Sequence, residues 1–309
     1  MKIVFFGSPA FAVPSLEALV DRGHEIGLVV SQPAKPVGRK KLLTDPPVAV
    51  RARELGLVRF QPGTLRNDEV VGFLAASGAD LFVVVAYGKI LPANVLALPR
   101  LGAVNVHGSV LPRWRGASPV QAALLAGDAE TGVSLMKMDV GMDTGPVYAS
   151  VPAVIAPGED AETLALRLSK LGAKLLVDSI HALADGTSVP VSQDDAQATS
   201  CPKIKREDGR IDWTLDALEL ERRARAFTPW PGLFAERQGI RVKLAGVTLV
   251  SKDASGAPAG TVIAAGESVQ WACGAGVLSA QVLQADGRRA LPALEFVRGE
   301  RVSVGEVWT

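Results

Sequence analysis

Cysteine is scarce in this sequence. Cys201 and Cys273 are the only two, far apart and without a Cys-x-x-Cys spacing. That argues against a disulfide framework and a thiolate zinc site, and it fits a reducing compartment. Long hydrophobic runs are missing too. The most apolar internal segment, Leu81 to Tyr87, falls far short of the ~20 residues a membrane-spanning helix needs. The opening Met1-Lys2-Ile3-Val4-Phe5-Phe6-Gly7-Ser8-Pro9 has one positive charge, a short apolar run and no small-residue cleavage site. It reads as a buried first strand rather than a signal peptide. Nor is there an excess of charge: the net value is +1, so a nucleic-acid partner must be sought in local basic patches. We expect a cytoplasmic monomer with no membrane partner.

What is present suffices for a sizeable core. With 309 residues, 48% hydrophobic and 21% charged, disorder over the whole chain is excluded. Short runs rich in Val, Ile and Phe, at Lys2–Phe6, Gly27–Val30, Leu81–Ala86 and Ala103–Val106, have the look of strands buried on both faces. Segments of helical character lie between them, at Pro14–Val20, Pro47–Leu55, Glu69–Ala76 and Pro119–Ala126. This alternation predicts an α/β domain with a parallel-rich sheet. Thr163–Ala184 reads as a long helix on its leucine spacing, with Gly186 as its stop. The polar stretch that follows is a linker candidate, giving an α/β domain over 1–187, a linker over 188–206 and a second domain over 207–309. Apart from a helix at Leu215–Phe227, the second domain carries short β-like runs (Arg241–Val250, Thr261–Ala264, Gly276–Leu283) punctuated by glycine and proline. That suits a small, mainly-β barrel or sandwich.

Ligands of such α/β sheets bind outside the carboxyl ends of the strands. Asn105-Val106-His107-Gly108 closes one strand, and residues two apart on a strand face the same side. Asn105 would offer an amide donor and His107 a proton-exchanging ring, the pair that acyl transfer needs to hold an oxyanion and move a proton. The competing reading of His107 is a strand-end histidine bonded to backbone. Its coincidence with Asn105 and Gly108 favours catalysis. Farther on, Asp139-Val140-Gly141-Met142-Asp143-Thr144-Gly145 places two acidic residues among glycines. A calcium loop fails because Gly141 breaks the alternating ligand series. An acidic turn without function and an Asp143 that orients and charge-balances His107 both remain.

Here the sequence resembles the folate-dependent formyltransferases, whose signature is Asn-x-His at a strand end with a distant Asp-x-Gly-x-Asp-Thr-Gly loop. Asn105, His107 and Asp143 match it residue by residue. Within that family it is most similar to the branch acting on methionyl-tRNA, through Phe6-Gly7-Ser8-Pro9-Ala10-Phe11-Ala12, the run from His107 to Pro119, and Arg225-Ala226-Phe227-Thr228-Pro229-Trp230-Pro231-Gly232. The likeness spans essentially the whole chain. It implies a Rossmann-like catalytic domain, an oligonucleotide-binding-type (OB) barrel at the carboxyl end, 10-formyltetrahydrofolate as donor, and no metal. The reduced folate would lie against Tyr87, Gly88, Lys89, Ile90 and Leu91, against Ser109, Val110, Leu111 and Pro112, and near Asp139. Lys89 stands where an apolar residue is expected, and Ser8 where threonine is.

The resemblance also implies methionyl-initiator tRNA as acceptor, engaged at its acceptor stem and aminoacyl end. A basic cluster, Lys35, Arg39, Lys40 and Lys41, would by itself be a solvated loop. Beside a catalytic crevice it would contact phosphates, as would Lys203, Lys205 and Arg206 at the end of the linker and Arg210 just beyond it. Arg222, Arg223 and Arg225, mixed with Glu219 and Glu221, read as a solvated or interdomain face. A formyltransferase for an amino sugar or glycinamide ribonucleotide would share the triplet but gain nothing from the basic loop or the extra domain. A nicotinamide-dependent dehydrogenase needs Gly-x-Gly-x-x-Gly after the first strand, and no second or third glycine follows Gly7 at that spacing. A non-catalytic RNA-binding protein would leave the triplet unexplained.

Overall fold

The computed structural model describes residues 1–38 and 41–309. The chain forms two compact units built from non-contiguous stretches. The first comprises Met1–Pro119, Ala129–Ile155 and Leu164–Pro202; the second comprises Val120–Asp128, Ala156–Thr163 and Lys203–Thr309.

The elements follow in chain order: β1 (Lys2–Gly7), α1 (Val13–Asp21), β2 (Glu25–Val30), β3 (Lys35–Val37), β4 (Leu42–Thr44), α2 (Pro47–Glu54), β5 (Arg59–Phe60), α3 (Asp68–Ala76), β6 (Leu81–Val85) and α4 (Ala93–Leu96). Next come β7 (Ala103–His107), β8 (Arg115–Gly116), α5 (Pro119–Ala126), β9 (Glu130–Lys137), β10 (Val147–Val154), α6 (Ala161–Ala184) and β11 (Ser200–Cys201). A seven-stranded sheet has the order β10-β9-β7-β6-β1-β2-β5. The strands from β7 to β5 are parallel, whereas at the other edge β9 pairs antiparallel with β7 and β10 antiparallel with β9. The all-apolar β6 sits mid-sheet with every residue buried, as a strand covered on both faces requires. Val4, Phe6, Leu28, Val30, Phe82 and Val84, alternate residues of three neighbouring strands, pack on one face with Leu74, Tyr87 and Leu91. Among the helices, α3 starts at an Asn67 cap whose side chain accepts from Glu69 N at 2.8 Å.

The basic cluster around Lys35 is rooted in a hairpin, β3 paired with β4. The stretch expected as a linker differs from a free tether through residue 202. Val191 bridges Val147, and β11 pairs with β8. Its physical anchor is backbone and polar side-chain hydrogen bonding, which needs none of the large apolar residues that mark a packed segment.

In the second unit, α7 (Ala217–Ala226) precedes β12 (Leu233–Arg237), β13 (Ile240–Ser251), β14 (Val262–Ala265), β15 (Val269–Ala272), β16 (Val277–Ala285), β17 (Leu291–Pro292) and α8 (Ala293–Glu300). The sheet order is β12-β13-β16-β15-β14, with β17 on β16, and every pairing in it is antiparallel. Residues 305–309 join its two ends. Gly305 N donates to Val262 O and Val262 N to Glu306 O, each at 2.8 Å, while Thr309 N donates to Glu236 O at 2.9 Å. The sheet thereby closes into a barrel. Trp271 fills its centre, stacked on Trp213 at 5.4 Å and edge-on to Trp308 at 5.0 Å. Arg237 fastens the seam, with Nε 2.6 Å from Glu306 Oε1 and Nη2 3.2 Å from Oε2. Among the described residues no helix is long and apolar enough to cross a membrane.

Candidate active site

The register of the parallel strands brings their ends together. Gly7 pairs with Val85, and Val84 with Asn105, so the loops after β1, β6 and β7 leave from one carboxyl edge. This is where a sheet of this kind receives its ligands. Asn105 and His107 share the face of β7 that spacing by two dictates, and they are 9% and 6% exposed.

Asp143 comes from the 138–146 loop between β9 and β10. Asp139 braces that loop, its Oδ1 accepting from Gly141 N at 3.0 Å and from Thr144 Oγ1 at 2.8 Å. Gly145 is required there, because a Cβ would lie 1.9 Å from the Lys137 carbonyl oxygen. Asp143 itself has φ 54°, a left-handed conformation unusual for a residue other than glycine. Its Oδ1 accepts from Asn105 Nδ2 at 3.3 Å. Its Oδ2 accepts from Gly116 N at 2.9 Å and lies 3.6 Å from His107 Nδ1.

The other ring nitrogen, His107 Nε2, is 2.9 Å from Trp114 O. A carbonyl only accepts, so Nε2 carries the hydrogen and Nδ1 holds the lone pair in the neutral ring. One nitrogen thus makes the backbone bond expected of a strand-end histidine, while the other faces a carboxylate. A proton taken up at Nδ1 would arrive beside Asp143, which compensates its charge. Asn105 keeps a second amide hydrogen beyond the one given to Asp143.

The residues expected to line the donor site are arranged unequally. Tyr87 and Leu91 are buried in the core, whereas Ile90 is 66% exposed. Burial pushes the Tyr87 phenol up to about 12, and the Tyr87 carbonyl accepts from Ser8 Oγ and Gln32 Nε2. Gly88 follows with φ 82°. Lys89 Nζ donates to Pro62 O at 3.1 Å and Gly63 O at 2.6 Å. Burial, then the charge of Lys35, draws its ammonium below the usual lysine range. The apolar residue expected at 89 is thus replaced by a tie to the 62–63 turn. Ser109 Oγ donates to Arg113 O, and Leu111 N to Ser134 Oγ. Val110 is half-buried, and Pro112 O accepts from Thr199 N at 3.3 Å.

Of the expected tRNA contacts, Lys35 and Lys41 are exposed at the root and turn of the β3–β4 hairpin, beside the exposed Val37, Leu42 and Leu43. Arg39 and Lys40 lie outside the described residues. In the second unit Lys203, Lys205, Arg206 and Arg210 are exposed. Arg210 pairs with Glu236 at 3.5 Å, and Lys205 N donates to Asp208, so acidic groups temper that patch. Arg223 and Arg225 pair with Glu219 and Glu221 along α7. A cavity of ≈ 480 Å³ in this unit, lined in part by Thr228, Lys243 and Gln284, contains none of the expected site residues.

Sequence reasoning missed the backbone partners Trp114 and Gly116, and it missed Gln193, whose Nε2 donates to Asp143 O at 2.8 Å and Gly145 O at 2.7 Å. The available signal for Gln193 was only a glutamine in a stretch poor in large apolar residues.

Residues 1–180 match the family described as Formyl transferase, and residues 203–301 match Formyl transferase, C-terminal domain. The chain belongs to the formyltransferase family. Family membership is shared by a methionyl-tRNA formyltransferase of Sorangium cellulosum (strain So ce56), 44% identical over 309 residues and covering 99% of each chain. Solved structures with the same fold include HypX from Aquifex aeolicus in complex with tetrahydrofolic acid, at 17% identity and TM-score 0.67. That match covers 99% of this chain but 48% of the other, so the chain spans about half the length of HypX. An N-formyltransferase from Helicobacter canadensis, in complex with folinic acid and dTDP-3-aminofucose, superposes at TM-score 0.66 and 17% identity over 92% of this chain and 99% of its own.

Proposed function

We propose that this formyltransferase moves the formyl group of 10-formyltetrahydrofolate onto the amino group of methionyl-initiator tRNA, the step that prepares the initiator for translation. The observation that carries this reading is the carboxylate of Asp143, engaged by Asn105 on one oxygen and facing His107 with the other. Support for the acceptor comes from the name of the Sorangium cellulosum relative and the likeness along the full chain. The folate donor is supported by the folates bound in structures of the same fold.

In the reaction, the neutral methionyl amine attacks the formyl carbon carried on N10 of the folate. A tetrahedral oxyanion forms, and the free amide hydrogen of Asn105 together with His107 stabilises it. The attacking nitrogen loses a proton, which Asp143 relays through water to His107 Nδ1, and the imidazolium so formed gives a proton to N10 as it leaves. The C–N bond to the acceptor forms first and the C–N10 bond breaks as the intermediate collapses; one proton leaves the amine and one reaches N10, so no net proton is consumed. Lys35 and Lys41, with Arg39 and Lys40 from the same segment, neutralise acceptor-stem phosphates, and Lys203, Lys205, Arg206 and Arg210 add contacts from the second unit.

Single-turnover transfer of labelled formyl from 10-formyltetrahydrofolate to methionyl-initiator tRNA tests the reading. Wild type should label the tRNA, and His107→Ala should be slower by about 10²–10⁴-fold. Donor consumption with an amino-sugar nucleotide but not with the tRNA would hand the acceptor to the small-substrate branch. No donor consumption at all would sink the folate assignment.

A further inference from the structure

The polar stretch after α6 touches both sides of the triplet. Val191 and Val147 exchange two 2.8 Å backbone hydrogen bonds just past the Asp143 loop. Gln193 grips the loop through the Asp143 and Gly145 carbonyls, while its Oε1 accepts from Arg115 Nε at 3.0 Å. Arg115, its side chain only 13% exposed, also reaches Asp195 at 2.7 Å. Thr199 then takes Trp114 N on its Oγ1 and Arg115 N on its carbonyl, both at 2.8 Å. Cys201 O accepts from Ala117 N at 3.1 Å. A Cβ on Gly116, whose φ is 123°, would lie 2.3 Å from that oxygen, so the close approach needs glycine.

Two non-glycine residues beside His107 have left-handed backbones, Trp114 at φ 62° and Asp143 at φ 54°. Such conformations persist where surrounding bonds over-determine them. Here one segment supplies bonds to both: Gln193 to the Asp143 and Gly145 carbonyls, and Thr199 Oγ1 to Trp114 N. Trp114 supplies the carbonyl that fixes the His107 tautomer, and Asp143 supplies the carboxylate facing its other nitrogen.

We propose that residues 188–202 form a positioning strap for the Asn105–His107–Asp143 site, with Gln193 as its central positioning residue. The inference rests on the functional reading above. Gln193 donates to backbone carbonyls of the Asp143 loop and accepts from Arg115 on the Trp114 side, so it sets the two partners of the imidazole relative to one another. It acts through them and touches no reacting atom. A displacement of catalytic groups by about 1 Å costs on the order of 10²-fold in rate without abolishing binding.

The test pairs transfer kinetics with imidazole ¹⁵N resonances of the three histidines in wild type, Gln193→Ala, Gln193→Glu and Asp185→Asn. Gln193→Glu keeps an acceptor for Arg115 but cannot donate to the two carbonyls. Asp185 lies ahead of the strap and bonds to Thr187, and its amide variant keeps an acceptor there. Expected are a kcat loss of about 10–100-fold in both Gln193 variants, KM values within about threefold of wild type, and movement of the His107 resonances alone. Asp185→Asn should match wild type. Unchanged His107 resonances in Gln193→Ala would overturn the strap, whatever the protein transfers. A moved resonance in an enzyme that transfers no formyl group would leave the strap standing and remove the functional reading instead.

Discussion

Asp143 Oδ2 stands between a fixed donor and a ring, 2.9 Å from Gly116 N and 3.6 Å from His107 Nδ1. The backbone bond holds the carboxylate in place, so its charge is available to whatever proton reaches the imidazole. Asp143→Asn keeps the shape and removes that charge. We expect a fall in transfer rate of about 10²–10⁴-fold with little change in melting temperature. A variant within threefold of wild type would show that the carboxylate only braces the loop.

The β3–β4 hairpin exposes Lys35 and Lys41, and phosphate contacts appear as salt dependence. Each lysine contact with a duplex phosphate contributes about 0.9 to the slope of log affinity against log salt. Lys35→Ala and Lys41→Ala should each reduce the slope for tRNA binding by about one and raise KM for the tRNA, with kcat nearly unchanged. Identical slopes in wild type and the double variant would return the hairpin to an ordinary solvated loop.

A pH response arises elsewhere in the first unit. The rings of His24 and His181 lie 5.7 Å apart, and the buried His24 Nε2 has no hydrogen-bond partner among the described residues. Burial, followed by the charge of His181, the amino terminus and Arg22, draws His24 below the ordinary 6.5. The unfolded chain therefore binds this proton more readily than the folded one. Stability is complete above about pH 6.5 and declines as the pH falls through that value, until His24 protonates in the folded state as well. His24→Gln should flatten the decline between pH 7 and 5 in urea melts. An unaltered slope would place the acid sensitivity in other groups.

The pair of Arg237 and Glu306 seals the barrel seam with a buried, two-pronged contact. Removing one partner leaves the other charge without compensation in a desolvated place. Arg237→Ala should destabilise the second unit by on the order of 3 kcal/mol. Its unfolding can be followed by the fluorescence of Trp213, Trp271 and Trp308. A loss under about 0.5 kcal/mol, as for an exposed ion pair, would contradict the buried-seam description.

The parts legible in the sequence were those with a period. Leu81–Ala86 and Ala103–Val106 read as short Val- and Phe-rich runs of buried strands, and Asn105 and His107 followed as a same-side pair. The long α6 was visible in its leucines. The Asp143 loop was recognisable as a motif, but its approach to β7 depends on β9 running antiparallel to β7, which no local pattern declares. Gln193 was illegible for a different reason. Its two donated bonds end on carbonyls, which every residue possesses, so no complementary side chain marks the partner. The same holds for Trp114, whose contribution to His107 is a backbone oxygen.

The seam made by residues 305–309 has a consequence for how the second unit behaves in a crowded solution. Val262 and Glu236 spend their outward backbone groups on this segment, so neither β12 nor β14 presents a full row of free donors and acceptors. Peeling the segment away would create two open strand borders at once, on a sheet otherwise paired throughout its order. Open borders are templates for pairing with other chains. Those last residues thus guard the barrel against self-association as well as completing it.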